Sequence, residues 1–180
     1  MNAMNTHYPD PVRVETVNRH TLAVIVDNEP GVLARISGMF SGRGYNIESL
    51  TVSETEEARH LSRITIVTTG TNAVIEQIKA QLDRLVPVHR VVDLTLQGNS
   101  LEREICLVKV VGQGEHRSEA LRLAAAFGAR TLDATLNSFV FELTGSTEEI
   151  DRFIRLMTVI GLVEICRTGI AAMGRGAEPL

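Results

Sequence analysis

Residues 26–49 read VDNEPGVLARISGMFSGRGYNIES, and the parsing of that stretch decides the fold. A β-rich run, Thr21 to Val26, stops at Asp27-Asn28-Glu29, and Pro30 and Gly31 follow at once. Val32, Leu33, Ile36, Met39 and Phe40 then recur at helical spacing. Gly44 is placed to stop that helix in a left-handed turn. Tyr45 to Ser53 is extended again, but Ile47 falls on the opposite parity from Leu50 and Val52, which predicts a bulge or a late strand start.

Working outward, Glu54 to Arg59 is a charged turn and Leu61 to Thr69 a strand with Ile64 and Ile66 on one face. After Gly70, the stripe Val74, Ile75, Ile78, Leu82 and Leu85 predicts a helix, and Val88 to Leu96 a closing strand. The order is βαββαβ. Gln97-Gly98-Asn99-Ser100 punctuates the chain, and the order starts over. Its elements are Glu102 to Val111 (strand), Ser118 to Phe127 (helix) and Ala129 to Leu136 (strand); after an Asn137-Ser138 turn, Phe139 to Leu143 is a further strand. Ser146-Thr147-Glu148-Glu149 is a capping box ahead of Ile150, Phe153, Ile154 and Met157, and Val163 to Ile170 closes the set.

Thr69-Gly70 matches Thr144-Gly145, and Val26 aligns with Val111. The expected fold is α+β: two tandem ferredoxin-like units over residues 19–97 and 98–175, with a flexible extension at 1–18 and a frayed tail at 176–180. Helices on one sheet face and bare strand edges predict a homodimer or a higher homo-oligomer.

Composition excludes several functions. Aromatics are 4% of residues with no tryptophan, the net charge is −4 and the pI is about 5.7, a poor match to nucleic acid. The first eighteen residues hold two prolines and no apolar block, so neither a signal peptide nor a membrane span is predicted, and a cytoplasmic location is expected. Cys106 and Cys166 sit alone in apolar runs and read as buried free thiols. His20, His60, His89 and His116 have no metal-gathering spacing, and Ser37, Ser41 and Ser53 no histidine partner in chain order. No catalytic residue, metal ligand or cofactor site is assigned.

The opening loop carries the chemistry that remains. Asn28 can cap, Pro30 suits a first helical turn, and free N–H groups at a helix start bind an anion such as a carboxylate. Gly31 lets a ligand approach the backbone. The same residues also make an ordinary capped helix start. Asn46, past the far end of that helix, adds a second amide, and two amides with an open helix start suit a zwitterion. Val32, Leu33 and Ile47 would receive an apolar side chain, which points to a small aliphatic amino acid.

At these residues the chain resembles the ACT domain, an amino-acid-sensing module. The stretch NEPGVLARISGMFSGRGYNIESLTV (28–52), with LSRITIV, VVDLT, EREICLVKV and VEICRTGI, is similar to the regulatory (small) subunit family of acetohydroxyacid synthase, also called acetolactate synthase. The resemblance runs from Arg19 to about Arg175. It implies a non-catalytic subunit of branched-chain amino acid biosynthesis. Its partner would be the catalytic (large) subunit, which carries thiamine diphosphate, Mg²⁺ and FAD and condenses pyruvate with pyruvate or 2-oxobutyrate. It further implies activation of that subunit and feedback inhibition by valine at an ACT dimer interface, with Asn28, Gly31, Val32 and Leu33 from one protomer and Asn46 and Ile47 from its mate. The extension before Arg19 departs from the family. The second unit carries Gly112-Gln113-Gly114-Glu115-His116 in place of Asp27 to Gly31, so no effector site is expected there. The alternative is a stand-alone amino-acid-responsive binding protein or small ferredoxin-like enzyme.

Overall fold

The computed structural model describes residues 16–56, 60–96 and 100–180. Residues 1–15 of the expected extension, 57–59 of the expected charged turn and 97–99 of the expected punctuation lie outside the described residues.

The first unit runs β1 (Asn18–Asp27), α1 (Val32–Gly42), β2 (Ser49–Glu56), β3 (Leu61–Gly70), α2 (Asn72–Leu82) and β4 (Val88–Asp93). The second runs β5 (Ser100–Val111), α3 (Glu115–Ala126), β6 (Arg130–Ala134), β7 (Ser138–Gly145), α4 (Thr147–Ile160) and β8 (Leu162–Arg167). The sheets have the orders β2-β3-β1-β4 and β6-β7-β5-β8, all antiparallel. This is the expected α+β fold, two ferredoxin-like βαββαβ units in tandem.

Each unit closes over its helices. Leu22, Val24 and Val26 of β1 meet Ile36 and Phe40 of α1 and Ile75 and Ile78 of α2 in one core. Cys106, Val108 and Val110 of β5 meet Ala120 of α3 and Ile150 and Phe153 of α4 in the other. Full burial of a large aliphatic side chain stabilises by about 1.5–3 kcal/mol, so these stripes fix which face of each helix turns inward. Val110 rather than Val111 takes the place of Val26. Both point inward, and both adjoin the irregular step in pairing with the unit's last strand.

Several boundaries differ from the expected ones. β2 starts late, at Ser49, one of the two outcomes the parity of Ile47 predicted, and runs on to Glu56. α3 starts at Glu115 rather than Ser118, because Gly114 turns the chain into the helix three residues sooner. β6 stops at Ala134, where the Thr135 hydroxyl accepts the N–H groups of Asn137 (3.2 Å) and Ser138 (3.0 Å) and folds the hairpin. The capping box is present as read: Ser146 accepts from Glu149 N–H and the Glu149 carboxylate accepts from Ser146 N–H.

The largest departure is at the C-terminal end. A ninth strand, β9 (Ala171–Gly174), pairs with Ser100–Arg103 of β5 and makes a two-stranded ribbon. The ribbon brings Ile170 and Ala172 against Ala23, Val67 and Leu94, on the face of the first sheet opposite its helices. Leu180, expected to fray, is half-buried against this cluster.

The cysteines also separate. Cys106 is in the second core, whereas Cys166 is exposed, because β8 pairs it with Leu107 on the outer face of the sheet. His20 is buried, with Nδ1 2.8 Å from Asp93 Oδ2 and Nε2 without a hydrogen-bond partner. Burial pushes the Cys106 thiol from 9.0 up to about 11.

Three outcomes are expected. A thiol reagent applied to the native protein should modify Cys166 at once and Cys106 only on unfolding. The unfolded chain loses the Cys106 proton near pH 9 while the folded chain holds it to about 11, so stability falls as pH rises across that window. Urea unfolding at pH 8 and 10.5 measures it. Ser146→Ala should cost about 1 kcal/mol in the same assay by removing the box that starts α4.

Candidate functional site

The loop between β1 and α1 is fixed at its base and open at its tip. Asp27 N–H donates to the Pro87 carbonyl (2.9 Å) and Asn28 N–H to the His60 carbonyl (2.6 Å). Asp27 Oδ1 lies 2.6 Å from His89 Nε2. These ties were absent from the sequence reading, since strand register alone brings residues so far apart in the chain together.

Gly31 then turns with φ 89° and ψ −8°, and α1 begins at Val32. That conformation is left-handed, where a side chain is disfavoured. An ideal Cβ at Gly31 would meet nothing within 4 Å, so the backbone is open to approach. No side chain caps α1, and its first turn carries no acidic residue. The N–H groups of Leu33 and Ala34 therefore face outward with no carbonyl four residues back to take them. Pro30 precedes the helix instead of entering its first turn, and Asn28 is too far upstream to cap; its side chain is exposed.

The remaining expected site residues divide. Leu33 is 42% exposed beside the loop, whereas Val32 is only 5% exposed and its side chain packs in the core. Val32 can present its backbone alone. Asn46 and Ile47 lie past the opposite end of α1, about 16 Å away by the rise of an eleven-residue helix. The Asn46 side chain is exposed and its carbonyl accepts from the Thr68 hydroxyl (2.6 Å), while Ile47 is half-buried against the core. One chain brings together Asn28, Gly31 and Leu33, not both halves of the expected site.

The equivalent loop of the second unit is tied back to its own chain at its base. Gln113 Nε2 donates to Asn137 Oδ1 (3.0 Å), Gly112 N–H donates to the Asn137 carbonyl (3.0 Å), and the Arg117 guanidinium lies 4.0 Å from the Phe139 ring centroid. α3 is also uncapped, but Glu115 puts a carboxylate in its first turn, where the helix dipole is positive. Among the described residues, no three His, Cys, Asp or Glu side chains gather as metal ligands, and no helix is long and apolar enough to cross a membrane.

Two sheet-and-helix units in tandem, the first with a glycine-opened strand-to-helix loop, define an ACT-type regulatory protein. Residues 22–90 match the family model for the AHAS small subunit-like ACT domain, and residues 103–176 that for the small subunit of acetolactate synthase. A probable acetolactate synthase small subunit of Archaeoglobus fulgidus is 46% identical, covering 88% of this chain and 98% of that one. The isozyme 3 small subunit of Escherichia coli is 43% identical over 88% and 96% of the two chains. The crystal structure of the small subunit from Thermotoga maritima superposes with a TM-score of 0.81 at 36% identity, covering 89% of this chain and 99% of that one. The chain belongs to the acetolactate synthase small-subunit family.

Gly31→Ala isolates the backbone demand of the loop. With open space around the new methyl group, the expected loss is only the cost of the left-handed conformation, about 1 kcal/mol, in urea unfolding, with the fold unchanged.

Proposed function

We propose that this chain is the regulatory subunit of acetolactate synthase, working in the cytoplasm in branched-chain amino acid biosynthesis. It raises the activity of the catalytic subunit and makes it sensitive to valine. The catalytic subunit supplies thiamine diphosphate, Mg²⁺ and FAD; this chain supplies no reacting group. The observation that carries the effector assignment is the uncapped, acid-free start of α1 behind an open Gly31.

The valine carboxylate accepts from the N–H groups of Leu33 and Ala34, where the helix dipole places positive charge. Asn28 accepts from the ammonium, and Leu33 flanks the aliphatic side chain. Asn46 and Ile47 come from a second protomer, which gives the small ligand a role in setting how two copies sit together. Valine inhibits only in so far as it binds one such arrangement better than the other.

Titration of valine, isoleucine and leucine by calorimetry should give the tightest binding for valine. Gly31→Asp places a like charge where the carboxylate would lie and should weaken valine roughly tenfold or more, about 1.4 kcal/mol, with activation of the catalytic subunit retained. If Gly31→Asp leaves the complex as valine-sensitive as the parent, the site is misassigned. Affinity purification from cell extract should bring down a thiamine-diphosphate enzyme; an isolated dimer with turnover of its own would favour a stand-alone protein instead.

A further inference from the structure

The segment joining β8 to β9 crosses the first unit at the start of β2, close to the α1–β2 connection that carries Asn46. Ser49, the first residue of β2, lies three positions after Asn46, and its Oγ accepts the Ile170 N–H at 3.0 Å. Gly169 adopts φ +81°, and a Cβ there would lie 2.7 Å from Ser49 Oγ and 2.9 Å from Thr51 Oγ1. Thr51 Oγ1 is itself buried without a hydrogen-bond partner. Buried hydroxyls are normally satisfied, so this contact keeps closeness at the expense of a hydrogen bond.

The segment is held at both ends. Toward the second unit, Thr168 N–H donates to the Ile105 carbonyl (3.1 Å) and Ile105 N–H to Thr168 Oγ1 (3.1 Å). Arg167 bonds both Glu104 of β5 and Asp151 of α4, and those bonds raise its guanidinium pKa above the ordinary arginine range. Toward the first unit, Ile170 and Ala172 are 4% and 7% exposed against Ala23, Val67 and Leu94, and Arg63 donates to the Ala172 carbonyl at 2.5 Å. β2, by contrast, is an edge strand whose pairing with β3 is irregular between Glu54 and Glu56. It begins three residues after Asn46.

We infer that Ser49 and Gly169 are a positioning pair that carries a shift of β2 into the second unit, so that effector occupancy at Asn46 is felt at β5 and α4. The relay rests on the effector reading above. It requires no change in the ligand's own contacts, since neither Ser49 nor Gly169 belongs to the site. An L side chain at position 169 is both strained in its backbone and driven into two hydroxyls, which separates β2 from the segment. Ser49→Ala is milder: it removes the acceptor of the Ile170 N–H and keeps the fold.

The test uses the full chain with its cognate catalytic subunit and valine as the probe. For Gly169→Ala and for Ser49→Ala, three quantities are measured: valine affinity by calorimetry, activation without valine, and inhibition at saturating valine. Affinity and activation should stay within about twofold of the parent while the coupling between valine and turnover falls about fivefold or more. A merely structural role would lower all three together. Inhibition equal to the parent's in both variants, with valine bound, overturns the relay and leaves the effector site standing. If Gly169→Ala gives no cooperative unfolding transition, Ser49→Ala decides. A parent that binds no valine removes the effector reading and the relay with it.

Discussion

The first unit depends on a helix start that its own side chains do not cap: at α1 the N–H groups of Leu33 and Ala34 are left without a capping acceptor. The polar groups of the loop's base are committed: two N–H groups to the Pro87 and His60 carbonyls, the Asp27 carboxylate to His89. α2 and α4 are capped by Thr71 and Ser146. Buried or exposed, helix-start amides need a partner, and at α1 only water or an incoming anion can serve. The helix cannot drift to find one, because Ile36 and Phe40 fix it in the core. Packing on its far side holds that donor set still.

The two units share their topology and even the irregular step beside Val26 and Val110, yet they finish the same loop in opposite ways. The second ties its loop to Asn137 through Gln113 and Gly112 and supplies its helix start with Glu115. α3 also turns alanines inward, Ala120 and Ala124, where α1 turns Ile36, Met39 and Phe40. Both helix starts lack a side-chain cap, but only that of α3 carries a carboxylate in its first turn.

Much of this architecture was legible because its signals are local. The parity of Ile47 against Leu50 and Val52 gave the late start of β2, and Ser146 with Glu149 gave the capping box. Asn28 and Gly31 were legible as loop residues ahead of the helix. The burial of Val32 was also written in the pattern: it lies four, seven and eight positions before Ile36, Met39 and Phe40, which is the core stripe and not the ligand side. The start of α3 was obscured because Glu115, His116 and Arg117 carry no apolar mark. β9 is four residues of small side chains and methionine, too short for periodicity to register. Cys166 and the His20–Asp93 pair were hidden for a third reason, since strand register sets which face a residue takes and which distant partner it meets.

The ribbon explains one feature of β1 that a single two-layer unit leaves without a cause. In a sheet with helices on one side only, alternate residues of the central strand face water and are commonly polar. Here Thr21 and Ala23 are buried as fully as Leu22 and Val24. Ala23 packs with Ile170 and Ala172, and the Thr21 hydroxyl donates to Glu102 at 2.5 Å, beside the Arg19–Glu102 ion pair at 3.1 Å. Small residues on that face let the ribbon come close, and closeness is what its backbone contacts need. Because β5 pairs with β9 through Ser100–Arg103 and with β7 and β8 through its later residues, the strand that covers the first sheet is also the central strand of the second. A rotation of one unit against the other must therefore bend β5 or slide Ile170 and Ala172 out of their contacts, and both cost more than moving the two units as one body.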